Sequence, residues 1–272
     1  MSKRPIRILG LAPEAWPRLL MPLMMGMLLL GAWEFAVRHF GVPPYVLPGP
    51  LSIGDALVTN WPSLAAALMV TLRITVLALL VAVTAGVVLA VLFSQSKWVE
   101  MTFLPYAVIL QVTPIVAIAP LIIIWVDNVQ AALLICAWIV AFFPIVSNTT
   151  IGLNSTDRNL VDLFRLYGAT RWQTLVHLRL PAAMPFFLAG LRISGGLALI
   201  GAIVAEFVAG AGGASSGLAY RILEAGYQLQ IPRMFAALAL ISLAGVVIFL
   251  ALSLLSHLIL RRWHESALSP DR

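Results

Sequence analysis

The sequence predicts an all-α polytopic membrane protein with six transmembrane helices, and three observations carry that prediction. The 272 residues are 61% hydrophobic and only 10% charged, whereas a soluble domain carries about 25% charged residues. Mean hydropathy is +1.00. The apolar residues also gather into runs of the length a bilayer crossing needs, about 20 residues each.

The first run, LLMPLMMGMLLLGAWEFAV at 19–37, follows Lys3, Arg4, Arg7 and Arg18. No small-x-small cleavage site closes it, so it is expected to remain as the first span. HFGVPPYVLPGPLSIGDALVTNWPS at 39–63 is rich in Pro and Gly and predicts a loop with a short surface helix. Further spans are expected at about 69–93, 103–126, 130–150, 186–209 and 234–260. The chain then divides into a tail at 1–18, a single membrane domain at 19–260 and a second tail at 261–272.

Lys and Arg concentrate on the cytoplasmic side of membrane proteins. With the N-terminus inside, twelve fall on inner segments: Lys3, Arg4, Arg7, Arg18, Lys97, Arg158, Arg165, Arg171, Arg179, Arg261, Arg262 and Arg272. Only Arg38, Arg73, Arg221 and Arg233 fall on or near the outer side, so both termini are expected in the cytoplasm. The +6 net charge is therefore read as a topology signal, with lipid and not nucleic acid as the partner. Cys136 is alone in an apolar run, so no disulfide forms within the chain, and it is expected to be a small buried hydrophobe.

One inner segment does not read as membrane: DLFRLYGATRWQTLVHLRLPAAMP at 162–185. Leu160, Leu163, Phe164 and Tyr167 recur at helical spacing and make one apolar stripe. Gly168 follows as a left-handed helix end. Thr170 and Gln173 are spaced as a capping box that starts a second helix. That helix puts Trp172, Leu175, Val176 and Arg179 on one side and is expected to stop at Pro181. Two uses compete for this helix–Gly–helix–Pro unit. It is either an interfacial loop packed on its own spans, or a knob of apolar anchors ringed by arginines that docks a soluble partner.

The segment resembles the cytoplasmic signature of inner-membrane permease subunits of bacterial ABC importers. That signature reads Glu-Ala-Ala, three residues, Gly, nine residues, an aliphatic residue, one residue, Leu-Pro. Here Asp162, Leu163 and Phe164 stand in place of Glu-Ala-Ala, Gly168 is in register, Leu178 is the aliphatic residue and Leu180-Pro181 closes the motif. QVTPIVAIAPLIIIW, FFPIVSNTTIGL, LPAAMPFFLAGLRIS and IVAEFVAG extend the likeness towards the subfamily that imports sulfonates, taurine, nitrate and related small solutes. The resemblance implies a type I importer permease fold with a cytoplasmic coupling segment at about 151–185. The ATPase-coupling residues would be Asp162, Leu163, Phe164, Tyr167, Gly168, Ala169, Leu178, Leu180 and Pro181. It further implies a second permease copy, a dimer of cytoplasmic ATP-binding subunits and a periplasmic solute-binding protein. The solute would be sulfonate-, taurine- or nitrate-like, or a pyrimidine precursor of thiamine.

No cofactor is expected on this chain, with ATP and Mg held by the partner ATPase. The lysines are Lys3 and Lys97, and neither follows a phosphate-cradling Gly-Lys-Ser/Thr loop. GASSG at 213–217 matches the G-x-S-x-G hydrolase elbow, but a membrane helix, not a strand, precedes it, and its glycines are expected to form a flexible outer turn. No catalytic residues and no metal ligands are predicted.

Charges inside spans are functional candidates: Glu34, Arg73, Arg192 and Glu206. Either Arg73 or another cation pairs with Glu206 to hold the spans together, or one of them faces the solute path. Arg192 is expected to snorkel towards the inner headgroups. Gly190, Ser194, Ala198 and Ala202 form a small-residue stripe, for packing within the chain or at a subunit or pore face. Pro114, Pro120 and Pro144 are expected to kink their helices. Translocation-path candidates are Arg73, Gln111, Pro114, Ser194 and Glu206. The alternatives are a passive channel or ion-driven carrier working without an ATPase, and a membrane scaffold.

Overall fold

The computed structural model describes residues 15–210 and 216–261. Lys3, Arg4 and Arg7, most of the GASSG turn, and Arg262, His264 and Arg272 lie outside the described residues. Every regular element among the described residues is helical. Five helices are long and apolar enough to cross a membrane: α1 (Ala15–His39), α3 (Trp61–Gln95), α6 (Val129–Asn154), α9 (Leu180–Ala209) and α11 (Ile231–Leu260). Between them stand α2 (Pro50–Thr59), α4 (Lys97–Val112), α5 (Ile115–Trp125), α7 (Arg158–Leu166), α8 (Arg171–Thr174) and α10 (Leu218–Tyr227).

The third expected span is not one kinked helix. α4 and α5 meet at an angle of 101°, and the spans number six if this bent pair counts as one. Thr113 and Pro114 form the break. Pro114 has no N–H to continue the ladder and adopts an extended ψ of 111°, which starts α5 in a new direction. α4 has 16 residues, about 24 Å at 1.5 Å per residue, so alone it is too short for the hydrocarbon core. Pro120 and Pro144 sit inside helices that run on without a break.

The described residues form two compact units. The larger, drawn from Pro62–Leu223 and Ala237–Arg272, is centred on the pair α6 and α9, with α3 packed into the same core. Its core is made mostly of small side chains: Ile74 and Ala78 of α3 meet Leu133, Cys136 and Ala137 of α6 and Ala202 and Ala205 of α9. Cys136 is fully buried there, as a small hydrophobe.

In lipid, helices associate by close packing, because lipid tails are as apolar as the side chains. The stripe on α9 supplies that packing. A Cβ at Gly201 would lie 2.9 Å from Ala137 Cα, and one at Gly190 would lie 2.7 Å from the Pro144 carbonyl oxygen. Ser194, fully buried, donates across the same seam to the Ala141 carbonyl at 2.6 Å. Of the two uses open to the stripe, packing within the chain accounts for all three contacts.

The smaller unit is drawn from Met1–Trp61 and Glu224–Ala236. There Glu34 of α1 accepts a hydrogen bond from the Leu51 amide in the first turn of α2 at 3.1 Å and pairs with Arg38 at 2.6 Å.

Candidate functional site

The segment between α6 and α9 is a pair of short helices fixed by local chemistry. The Asp157 side chain accepts from the Asn159 amide at 2.9 Å and starts α7. Gly168 ends it at φ +72°, a conformation that disfavours side chains with a Cβ. The Gly168 amide donates to the Arg165 carbonyl and the Ala169 amide to the Phe164 carbonyl, both at 2.9 Å. Those two bonds are the Schellman pattern, and they satisfy carbonyls that the helix end leaves free. Both halves of the expected capping box form: the Gln173 amide donates to Thr170 Oγ1 at 3.2 Å, and the Thr170 amide donates to Gln173 Oε1 at 2.8 Å.

Pro181 does not stop the second helix. α8 widens into a π-helical turn at Leu175–Arg179 and then runs on as α9. The Leu180 amide donates to the Leu175 carbonyl, five residues back. Pro181 brings no N–H, and the widened turn just before it carries the chain past the missing bond.

The two helices present opposite faces. Leu175, 1% exposed, packs with Ala90, Leu153 and Ala183, and Arg179 donates to the Ser94 carbonyl at 3.2 Å. These contacts tie the segment to the C-terminal ends of α3 and α6 and the N-terminal end of α9. Outward stand Leu160 and Leu163, each 44% exposed, Leu166 and Tyr167, each 84%, and Trp172, 69%. Phe164 of the expected stripe turns inward and is half-buried, while Leu166, which the spacing did not select, joins the exposed face. Asp162 pairs with Arg165 at 3.3 Å on the surface. Leu178, Leu180 and Pro181 are half-buried in the turn into α9.

The intramembrane candidates separate. Glu206 is 3% exposed and forms no ion pair with Arg73. Thr71 Oγ1 donates to its carboxylate at 2.8 Å, the Ala219 amide donates to Oε2 at 3.1 Å, and the Leu218 amide donates to Thr71 Oγ1 at 2.9 Å. The carboxylate therefore caps the N-terminus of α10, where helix dipole and free amides favour negative charge. Glu34 does the same for α2. Sequence reasoning missed both caps, because the carboxylates lie 13 and 17 residues from the amides they accept from.

Arg73 is exposed and lines a recess of about 260 Å³ with Asn128 and Gln130 at the start of α6. Gln111 and Pro114 are exposed at the α4–α5 break. Arg192 is exposed in α9, about two turns beyond Pro185.

The two-helix segment is thus joined to the ends of α3, α6 and α9 of a chain rich in membrane-length apolar helices. The family model described as binding-protein-dependent transport system inner membrane component matches residues 82–265, and the chain belongs to that family. It is 34% identical over 240 residues to the formylaminopyrimidine transport permease protein of Halalkalibacterium halodurans, covering 88% of this chain and 94% of that one. It is 34% identical over 268 residues to the riboflavin transport system permease protein of Chloroflexus aurantiacus, covering 96% of each. Permeases named for aliphatic sulfonates are also among its relatives. A solved amino acid ABC transporter chain shares the fold at a TM-score of 0.61 and 20% identity, over 76% of this chain and 96% of that one. The chain is thus an ABC importer permease with the type I fold.

Proposed function

We propose that this permease works as one half of a pair, with the 157–181 segment seated in a cleft of a separate cytoplasmic ATPase subunit. A periplasmic binding protein delivers a small solute, and ATP binding in the partner drives alternating access. ATP and Mg belong to the partner chain, and both termini face the cytoplasm. The supporting observation is the segment itself: a capping box starts its second helix, and the chain leaves Leu163, Leu166, Tyr167 and Trp172 uncovered. An apolar face left uncovered beside the arginines Arg158, Arg165 and Arg171 is the surface a soluble partner would close over.

The path runs past the α4–α5 break and the Arg73 recess. Non-helical backbone at membrane depth persists only where protein covers it or water reaches it, which supports Gln111 and Pro114 as path residues. Ser194 and Glu206 are buried with partners in the chain and would border the path only from behind it. The solute reading is a small pyrimidine of the thiamine-precursor type, supported by the likeness to the formylaminopyrimidine permease. A second reading, a sulfonate-like anion, is favoured by the exposed guanidinium of Arg73.

Gly168→Val tests the coupling reading. A β-branched residue at φ +72° is strained by about 1–2 kcal/mol, and uptake into vesicles falls to background while the chain remains in the membrane. Normal uptake by this variant at normal expression would remove the docking assignment.

A further inference from the structure

The arginines of the 157–181 segment do not all point towards the docking face. Two adjoining clefts lie on its membrane side, of about 440 Å³ and 360 Å³, and both are lined by Val161, Arg165 and Arg179. Arg171 completes the first and Arg158 the second, so four guanidiniums face one lining carboxylate, Asp162. Asp162 already pairs with Arg165. Among the described residues Arg158 and Arg171 have no hydrogen-bond or ion-pair partner. Arg179 uses one donor on the Ser94 carbonyl, and a guanidinium carries five.

The clefts also have a definite depth. Ser94 and Gln95 are the last residues of α3, Asn154 is the last of α6, and Arg179 immediately precedes α9. Three span ends meeting there put the clefts at the level of the headgroups. Lys97 and the 80%-exposed Trp98, just past α3, are the residue types that anchor a helix at that level. The carbonyl ends of α3 and α6 alone would repel an anion, and the four cations outweigh them.

We infer that these clefts hold the phosphate of an anionic phospholipid from the cytoplasmic leaflet, gripped by Arg165, Arg171 and Arg179, so that a lipid joins the coupling segment to the span ends. Guanidinium forks match phosphate oxygens in pairs. A water-borne phosphate compound has the same recognition chemistry, but the span ends favour a source in the membrane. The inference rests on the proposed orientation only for which leaflet supplies the lipid.

The test is native mass spectrometry of the complete permease–ATPase complex, released from mixed micelles of phosphatidylglycerol and phosphatidylcholine. The wild type is expected to retain phosphatidylglycerol selectively, also in an excess of inorganic phosphate. The Arg165→Gln/Arg171→Gln variant is expected to retain about 25-fold less, at about fivefold for each basic residue at an anionic surface. The corresponding Lys pair is expected to keep most of the selectivity. Equal retention of the two lipids by the wild type would overturn the site without any variant, and so would unchanged retention in the Gln pair. Displacement by inorganic phosphate would overturn the membrane source. Loss of the ATPase chain from the Gln pair with lipid unchanged would assign the arginines to the protein partner instead. Retention is read without transport, so its failure leaves the coupling assignment standing, and failed coupling leaves the lipid result standing.

Discussion

Glu206 shows how far a single buried group can be from its obvious role. An acid in a span invites a search for a cation, and Arg73 lies at a similar expected depth. The carboxylate instead takes the Thr71 hydroxyl and a helix-end amide. Glu206→Ala leaves the Thr71 hydroxyl and the Ala219 amide without that acceptor, and stranded buried polar groups cost about 1–3 kcal/mol. A lower unfolding midpoint in detergent is therefore expected for Glu206→Ala and for Thr71→Val. The double variant is expected to lose less than the sum, because the two share one network. Strict additivity would show that the bond contributes nothing.

At the scale of elements, the short helices are held by turn chemistry and the long ones by backbone proximity. Thr170→Ala with Gln173→Ala removes both halves of the capping box, worth about 1 kcal/mol for a cap. Faster hydrogen exchange is expected at 170–174, with α6 and α9 unchanged; unaltered exchange there would mean that Leu175 alone holds the segment. Gly201→Leu forces side-chain atoms onto the Ala137 backbone. Its expected outcome is poor accumulation in the membrane, and normal accumulation would show that the seam tolerates the larger side chain.

The same contrast explains what could be read in advance. The Gly168 end and the Thr170–Gln173 box were legible because residues within one turn of each other decide them. Pro114 announced a disturbance but not its size: a missing N–H is a local fact, whereas a 101° bend depends on what the next helix packs against. The π-helical turn before Pro181 was illegible for a similar reason, since a proline there fits either a helix stop or a widened turn. Phe164 and Leu166 exchanged places because periodicity finds a stripe without saying which of its edges meets the protein.

For the whole molecule, the docking segment we propose calls for a drive that works on it. α6 and α9 pack closely, the capped segment runs between them, and neither Lys3 nor Lys97 follows a phosphate-binding Gly-Lys-Ser/Thr loop. The central claim is that another chain supplies that drive. Tagging this chain, extracting it gently from native membranes and weighing the intact assembly tests the claim most directly. The account predicts an ATP-binding subunit at one copy for each copy of this chain. A well-folded chain that repeatedly emerges without such a subunit would contradict it.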